Sequence, residues 1–218
     1  MKAAAVRTKE EAAAPVAPRQ RRTQAERREE AGRLMLEAAT RIVADKGLDE
    51  FTLADVADAA GYSRGLPIHY FGSKADLIAA ISGHIRQWFF AGLKARAGRR
   101  PGLANLIAGI DFYFDACRRE PVMLRALQTV LAGGLNKPAL VDAIAALNRD
   151  SAGAIATDIR AGIANGEIRR GIDPDTWSIL VLAAVRGVIA QWLVAPAQVD
   201  VAALRADFVA SLRRSFAP

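Results

Sequence analysis

Cysteine and histidine are scarce: Cys117, His69 and His84 are all the chain contains. A single cysteine excludes an intrachain disulfide, so a reducing cytoplasm is the expected setting. Neither histidine stands at metal-ligand spacing from Cys117, and no metal site is expected. Aromatic residues make up only 6% of the 218 residues, and the alternating apolar–polar runs that mark strands are missing. There is no glycine-rich phosphate loop and no nucleophile–base signature. Asp111 and Asp115 stand four apart, with Arg118 and Arg119 one turn on, and read as an ion-paired helix face. The expectation is therefore no enzyme and no cofactor. Residues 1–22 carry charges throughout and lack an apolar stretch of the signal-peptide kind.

What is abundant is alanine, within an apolar share of 52%. Alanine is the strongest helix former, and valine and isoleucine occur singly among alanine and leucine. The chain reads as all-α. The formal net charge is +7, a balance that suits nucleic acid but also an acidic membrane surface or plain solubility. The longest apolar run, Trp177–Ala195, has the length of a membrane span, but Arg186 lies near its centre. A charge there costs about 3 kcal/mol in a bilayer, so the run reads as a buried helix and no membrane is expected.

Helix signals then follow in order. Met35, Ala38, Ala39 and Ile42 lie on one stripe between Ala25 and Lys46, and Gly47 stops that helix. Thr52 to Asp55 reads as a capping box for a second, short helix that Gly61 ends. Ser63 is expected to cap a third short helix ending near Tyr70 and Phe71. Ser73 and Asp76 start a long fourth one. Prolines 101, 121, 138 and 174 sit where later helices should begin. The last helix spans roughly Val199–Phe216. The total is about nine helices.

The segment Thr52–Phe71, TLADVADAAGYSRGLPIHYF, has two short helices joined at Gly61, which is helix-turn-helix spacing. Ser63, Arg64, Gly65, Leu66 and His69 should face outward, where the second helix can enter a major groove. Arg64 can fork onto a guanine edge or a phosphate. His69 and Tyr70 are candidates for phosphates or base edges, and Tyr70 is also placed to pack against the first helix. Thr52 and Lys74 are candidate backbone contacts. Residues 1–22 read as a disordered arm with Arg19, Arg21 and Arg22 at its end, either touching DNA or simply solvated. A three-helix bundle without DNA binding shares this spacing.

The run FTLADVADAAGYSRGLPIHYFGSKADLIAAI, residues 51–81, resembles the N-terminal domain of the tetracycline-repressor (TetR/AcrR) family of bacterial regulators. The preceding AERREEAGRLMLEAATRIVADKGLDEF is similar to that family's first helix and turn. The resemblance covers roughly residues 25–85. It implies phosphate contacts from Thr52 and Lys74 and a groove face of Ser63, Arg64, Gly65, Leu66 and His69. It also implies a C-terminal helical domain that binds a small ligand and dimerises. One departure stands out. The family usually has Leu-Tyr where this chain has Pro67-Ile68, and that tyrosine commonly touches phosphate. Pro67 also removes a donor and crowds the carbonyl four residues back, so the first turn of the recognition helix should be shifted or loosened.

GIDPDTWSILVLAAVRGVIAQWLVAP and VDVAALRADFVASLRRSF, near the C-terminus, are similar to the last two helices of many members, which pair across a dimer. The apolar helix is buried on both sides in this reading, one side on its own domain and one on a partner. The expected organisation is an arm over 1–22, a helix-turn-helix domain over 23–82, and a ligand-binding and dimerisation domain over 83–218. Trp88, Phe89, Phe112, Tyr113, Phe114, Met123 and Trp177 are candidate liners of a pocket for an apolar effector. Plain core is the other reading of each. The function implied is a dimeric, ligand-responsive repressor binding double-stranded DNA at a palindromic operator. The competing reading is a helical ligand-binding or scaffolding protein whose helix-turn-helix no longer binds DNA.

Overall fold

A computed structural model describes residues 23–96, 98 and 100–218, so the arm expected over 1–22 lies outside the described residues. Among them the chain forms nine α-helices and no strand. These are α1 Gln24–Lys46, α2 Leu53–Ala60, α3 Leu66–Phe71, α4 Lys74–Arg96, α5 Leu103–Arg119, α6 Pro121–Gly133, α7 Pro138–Ala164, α8 Pro174–Val194 and α9 Val201–Phe216. The all-α expectation is met.

Local chemistry accounts for most helix ends. Thr23 and Glu26 form a capping box at α1, and Thr52 and Asp55 form one at α2. Ser73 accepts from the Asp76 N–H at the start of α4. Prolines open α6, α7 and α8 at the first helical position, where no backbone donor is lost. Gly47 and Gly166 follow helices with φ of 81° and 75°, a region that glycine enters freely.

α5 breaks the pattern. Pro101 was expected to open it, but the helix starts at Leu103 after Gly102, whose φ is 149°. No neighbouring side chain caps it. The Leu103 N–H donates to Glu167 Oε2 at 2.8 Å, and the Gly102 N–H donates to Asp158 Oδ1 at 3.3 Å. The cap comes from α7 and the turn after it, which a local reading cannot see. Asp111 and Asp115 are ion-paired as expected, but by other helices: Arg205 of α9 at 2.7 Å and Arg96 of α4 at 3.0 Å.

One continuous core runs through the molecule. Met35, Val43 and Val56 belong to it at one end, and Leu124, Ile159, Ile189 and Phe216 at the other. α4 threads between the ends and buries Leu77, Ile81 and Ile85. Each such side chain contributes roughly 1.5–3 kcal/mol of burial, so α4 cannot shift without disturbing both halves. The expected division after residue 82 falls within α4. α8 is long and apolar enough to cross a membrane by composition. Only one side of it is buried in the chain, through Val181, Leu182, Val185 and Ile189. Its other side leaves Ile179, Leu180 and Val194 exposed.

Candidate nucleic-acid interface

α2 ends at Gly61, in the left-handed region at φ 75°, and the Tyr62 N–H returns to the Ala57 carbonyl at 2.9 Å. Ser63, Arg64 and Gly65 then form a turn closed by the Leu66 N–H on the Ser63 carbonyl at 2.9 Å. α3 begins only at Leu66, and no side chain caps it. The cap position falls at Gly65 and not at the expected Ser63, so the helix starts two residues later, in keeping with the shifted first turn expected from Pro67. Pro67 is the reason. Within a helix from Ser63, its ring would collide with the Ser63 carbonyl and it could donate no bond. At the second helical position its missing donor has no intrahelical partner to lose.

The inner side of α3 holds the unit together. Pro67 is buried, and Leu66, Tyr70 and Phe71 pack on the core. The Tyr70 hydroxyl donates to the Arg28 carbonyl at 2.9 Å. Its ring lies over Gly32 of α1, where a Cβ would come within 3.3 Å. Leu66, read as groove-facing, thus turns largely toward the core, and of the two readings of Tyr70 the structure shows the packing against α1. Ser63, Arg64, Gly65, Ile68 and His69 form the exposed surface.

Two expected phosphate contacts are already engaged within the chain. The Thr52 hydroxyl donates to Asp55 Oδ2 at 2.8 Å and accepts from the Asp55 N–H at 3.2 Å. The Thr52 N–H, which donates to Asp55 Oδ2 at 2.7 Å, and then the Thr52 hydroxyl hold the Asp55 carboxyl below its ordinary pKa. Lys74 Nζ donates to the carbonyls of Asp49 and Phe51 at 2.9 and 2.7 Å and sits 4.3 Å above the Phe51 ring. Its charge fixes the α1–α2 turn from below. Arg64 reaches Asp58 of α2 through Nε at 3.3 Å and Nη2 at 3.0 Å. Both groups are well exposed, so the pair orients the guanidinium at little energetic penalty for release.

Away from this surface, a cavity of about 250 Å³ lies among α4, α5, α7 and α8. Phe89, Phe90, Leu106, Ile110, Tyr113 and Val181 are among its apolar walls, and Lys94, Asn105 and Asp158 add polar groups. Burial raises the Asp158 pKa, against the Gly102 N–H and Asn105, which lower it. Of the seven expected liners, Phe89 and Tyr113 face this space. The others belong to packing elsewhere. Trp88 meets Phe112 at a tilt, with ring centroids 5.1 Å apart, and Phe112 lies against the bare Cα of Gly92. Trp177 meets the Phe216 ring edge-on at 5.0 Å, Phe114 is buried, and Met123 packs on the core. An aromatic at helical spacing faces inward in both cases, so sequence alone could not separate cavity from core.

Residues 35–81 match the family model for bacterial regulatory proteins of the tetR family, and residues 103–217 match that for the C-terminal part of BetI-type transcriptional repressors. The chain belongs to the tetR family. It is a DNA-binding transcriptional regulator of the helix-turn-helix kind. This tetR-family chain is 32% identical to the regulator BetI of Rhizobium meliloti (strain 1021) over 157 residues, covering 63% of this chain and 76% of that one. Its fold is shared by a transcriptional regulator of Saccharomonospora viridis in complex with choline, with a TM-score of 0.74 at 20% identity, covering 84% of this chain and 95% of that one. It is shared also by FadR of Bacillus subtilis in complex with stearoyl-CoA, with a TM-score of 0.72 at 18% identity, covering 83% and 96%. Those two ligands differ in charge and size, so the tetR-family fold by itself does not fix an effector.

Proposed function

We propose that the protein is a cytoplasmic, homodimeric repressor that releases a palindromic operator when a small, largely apolar effector enters the α4–α5–α7–α8 cavity. The observation that carries this reading is the outer side of α3. Ser63, Gly65, Ile68 and His69 are exposed there, with Arg64 held beside them by Asp58. Residues 23–82 act as the DNA-binding unit and 83–218 as the effector and dimer unit in this scheme, with α4 as the lever between them. Arg64 and His69 read base edges. Backbone N–H groups and the third Lys74 proton are available to phosphate. Ser63 and Gly65 allow close approach of the duplex.

The dimer forms through α8 and α9. Ile179, Leu180 and Val194 on α8 and Leu204 on α9 are exposed in the single chain. Ala183, Gly187 and Ala190 lie between them along α8 and allow a second helix to come close. Two copies then present their α3 helices to successive major grooves about 34–36 Å apart. The apolar cavity walls favour an effector with apolar bulk and one polar group toward Lys94, Asn105 and Asp158. Such an effector switches the protein only by binding the two conformations with different affinity.

The test is selection of bound duplexes from a randomised pool at physiological salt, followed by titration and measurement of stoichiometry. A palindrome bound by two copies, weakening steeply with added salt, is the expected result. Binding no tighter than to bulk DNA refutes the proposal.

A further inference from the structure

Ile68 is the one large aliphatic side chain exposed among the described residues of α1 to α4, with 57% of its surface open. The other exposed large apolar side chains lie at Val122 or beyond. Elsewhere in the helix-turn-helix unit such side chains are turned inward, as Leu66, Tyr70 and Phe71 are. Ile68 stands in the middle of the outer side of α3, three residues after Gly65 and beside the exposed His69. Gly65 has open space around its Cα, so nothing from the chain itself shields this position. The late start of α3 contributes too. With Pro67 turned into the core, the next residue along the helix is directed outward.

We infer that Ile68 is a specificity determinant that reads the C5-methyl group of a thymine in each operator half-site. The inference rests on the DNA-binding reading above. The chemistry of the groove edge makes it specific. Guanine, adenine and cytosine present hydrogen-bonding groups there, and thymine alone adds an apolar group. Ile68 has no polar atom. Against guanine N7 and O6, or cytosine N4, it displaces water and returns no hydrogen bond, which counts against those bases. Against a thymine methyl it removes apolar surface from water on both partners. Arg64 on one side and His69 on the other keep the hydrogen-bonding part of the readout. The α3 surface thus reads through an apolar centre between two polar flanks.

The test uses the full-length chain and the operator recovered by selection. Each thymine in a half-site is replaced, one at a time, by deoxyuridine, which removes the methyl and nothing else. At one thymine per half-site the replacement should weaken wild-type binding roughly three- to five-fold, the scale of one buried methyl-sized group. With Ile68→Ala the same replacement should have no further effect, because the methyl has lost its partner. Replacing that thymine by cytosine should weaken wild-type binding, and 5-methylcytosine should restore part of the loss. Ile68 is exposed, so its truncation should leave the thermal midpoint in place, and that measurement separates lost readout from lost folding. If every deoxyuridine operator binds as tightly as the parent, or Ile68→Ala keeps the full methyl sensitivity, the inference fails while sequence-specific binding stands. A pool that yields no enriched sequence overturns the regulator reading itself and this inference with it.

Discussion

Leu48, in the turn after α1, packs against the bare Cα of Gly133, the last residue of α6; a Cβ there would lie 2.3 Å from Leu48 Cδ1. Asp49 forms an ion pair with Lys137 beside it, and Lys74 ties the Asp49 carbonyl to the start of α4. The turn that sets α2 and α3 is thereby seated on the α6–α7 corner. α6 is thus in direct contact with the turn that leads into α2.

Gly133→Ala should therefore overpack the joint and lower stability by about 1–3 kcal/mol. Leu48→Ala should be destabilising in its own right, by leaving a hole. The double variant should lose less than the sum, since the alanine methyl occupies part of the space that Leu48 vacates. Thermal or denaturant melts of the four proteins measure this. Strict additivity would mean that the two residues do not share the space.

Arg64→Ala should weaken operator binding roughly ten-fold or more and relax selection at one base pair. Asp58→Ala, which frees the guanidinium but keeps it, should change affinity far less. Fluorescence anisotropy on single-base operator variants gives both answers. An unchanged Kd for Arg64→Ala would remove Arg64 from the readout.

Leu180→Glu should yield a monomer. Leu180 is exposed in the single chain, so its helices should form unchanged, while two glutamates brought together across α8 should repel. Sedimentation velocity reads the mass directly, and operator affinity should fall because one half-site no longer recruits the other. A dimer that survives with wild-type affinity would place the interface elsewhere.

Cys117 should be inert. Burial pushes its thiol from 9.0 up to about 11, so the neutral form persists in the folded protein well above neutral pH. A raised thiol pKa favours the fold fully below the unfolded value, and that contribution is lost as pH climbs toward about 11. Alkylation by iodoacetamide at pH 8 should proceed only as fast as the protein unfolds. Rapid labelling of the native protein would contradict the burial of the side chain.

Much of the architecture could be read from local chemistry. Pro121, Pro138 and Pro174 begin α6, α7 and α8 where a missing donor does no harm, and Gly47 and Gly61 end α1 and α2 where φ turns positive. The Thr52–Asp55 box was legible because its two bonds join residues three apart. The start of α3 was legible in part: Pro67 pointed to a shifted first turn, without fixing it at Leu66. The serine cap expected at Ser63 gave way to the collision of the proline ring with the Ser63 carbonyl. The start of α5 was hidden for another reason, since its caps, Asp158 and Glu167, lie more than fifty residues along the chain.

The sequence by itself determined the helical class and the order of the helices, because each follows from contacts between residues a few positions apart, while the helix-turn-helix segment was marked by its resemblance to the tetR family and not by spacing alone. Only the tertiary structure decided which inward aromatics line space and which fill it. Phe89 and Tyr113 reach the cavity, while Trp88 and Phe112 close on each other over Gly92. It also decided that Lys74 holds the unit together from within, which of its two readings Tyr70 takes, and that Ile68 stands exposed at the surface. Helical periodicity tells a residue which side of its own helix it occupies. What stands opposite that side depends on how distant helices pack, and short-range spacing carries no record of it.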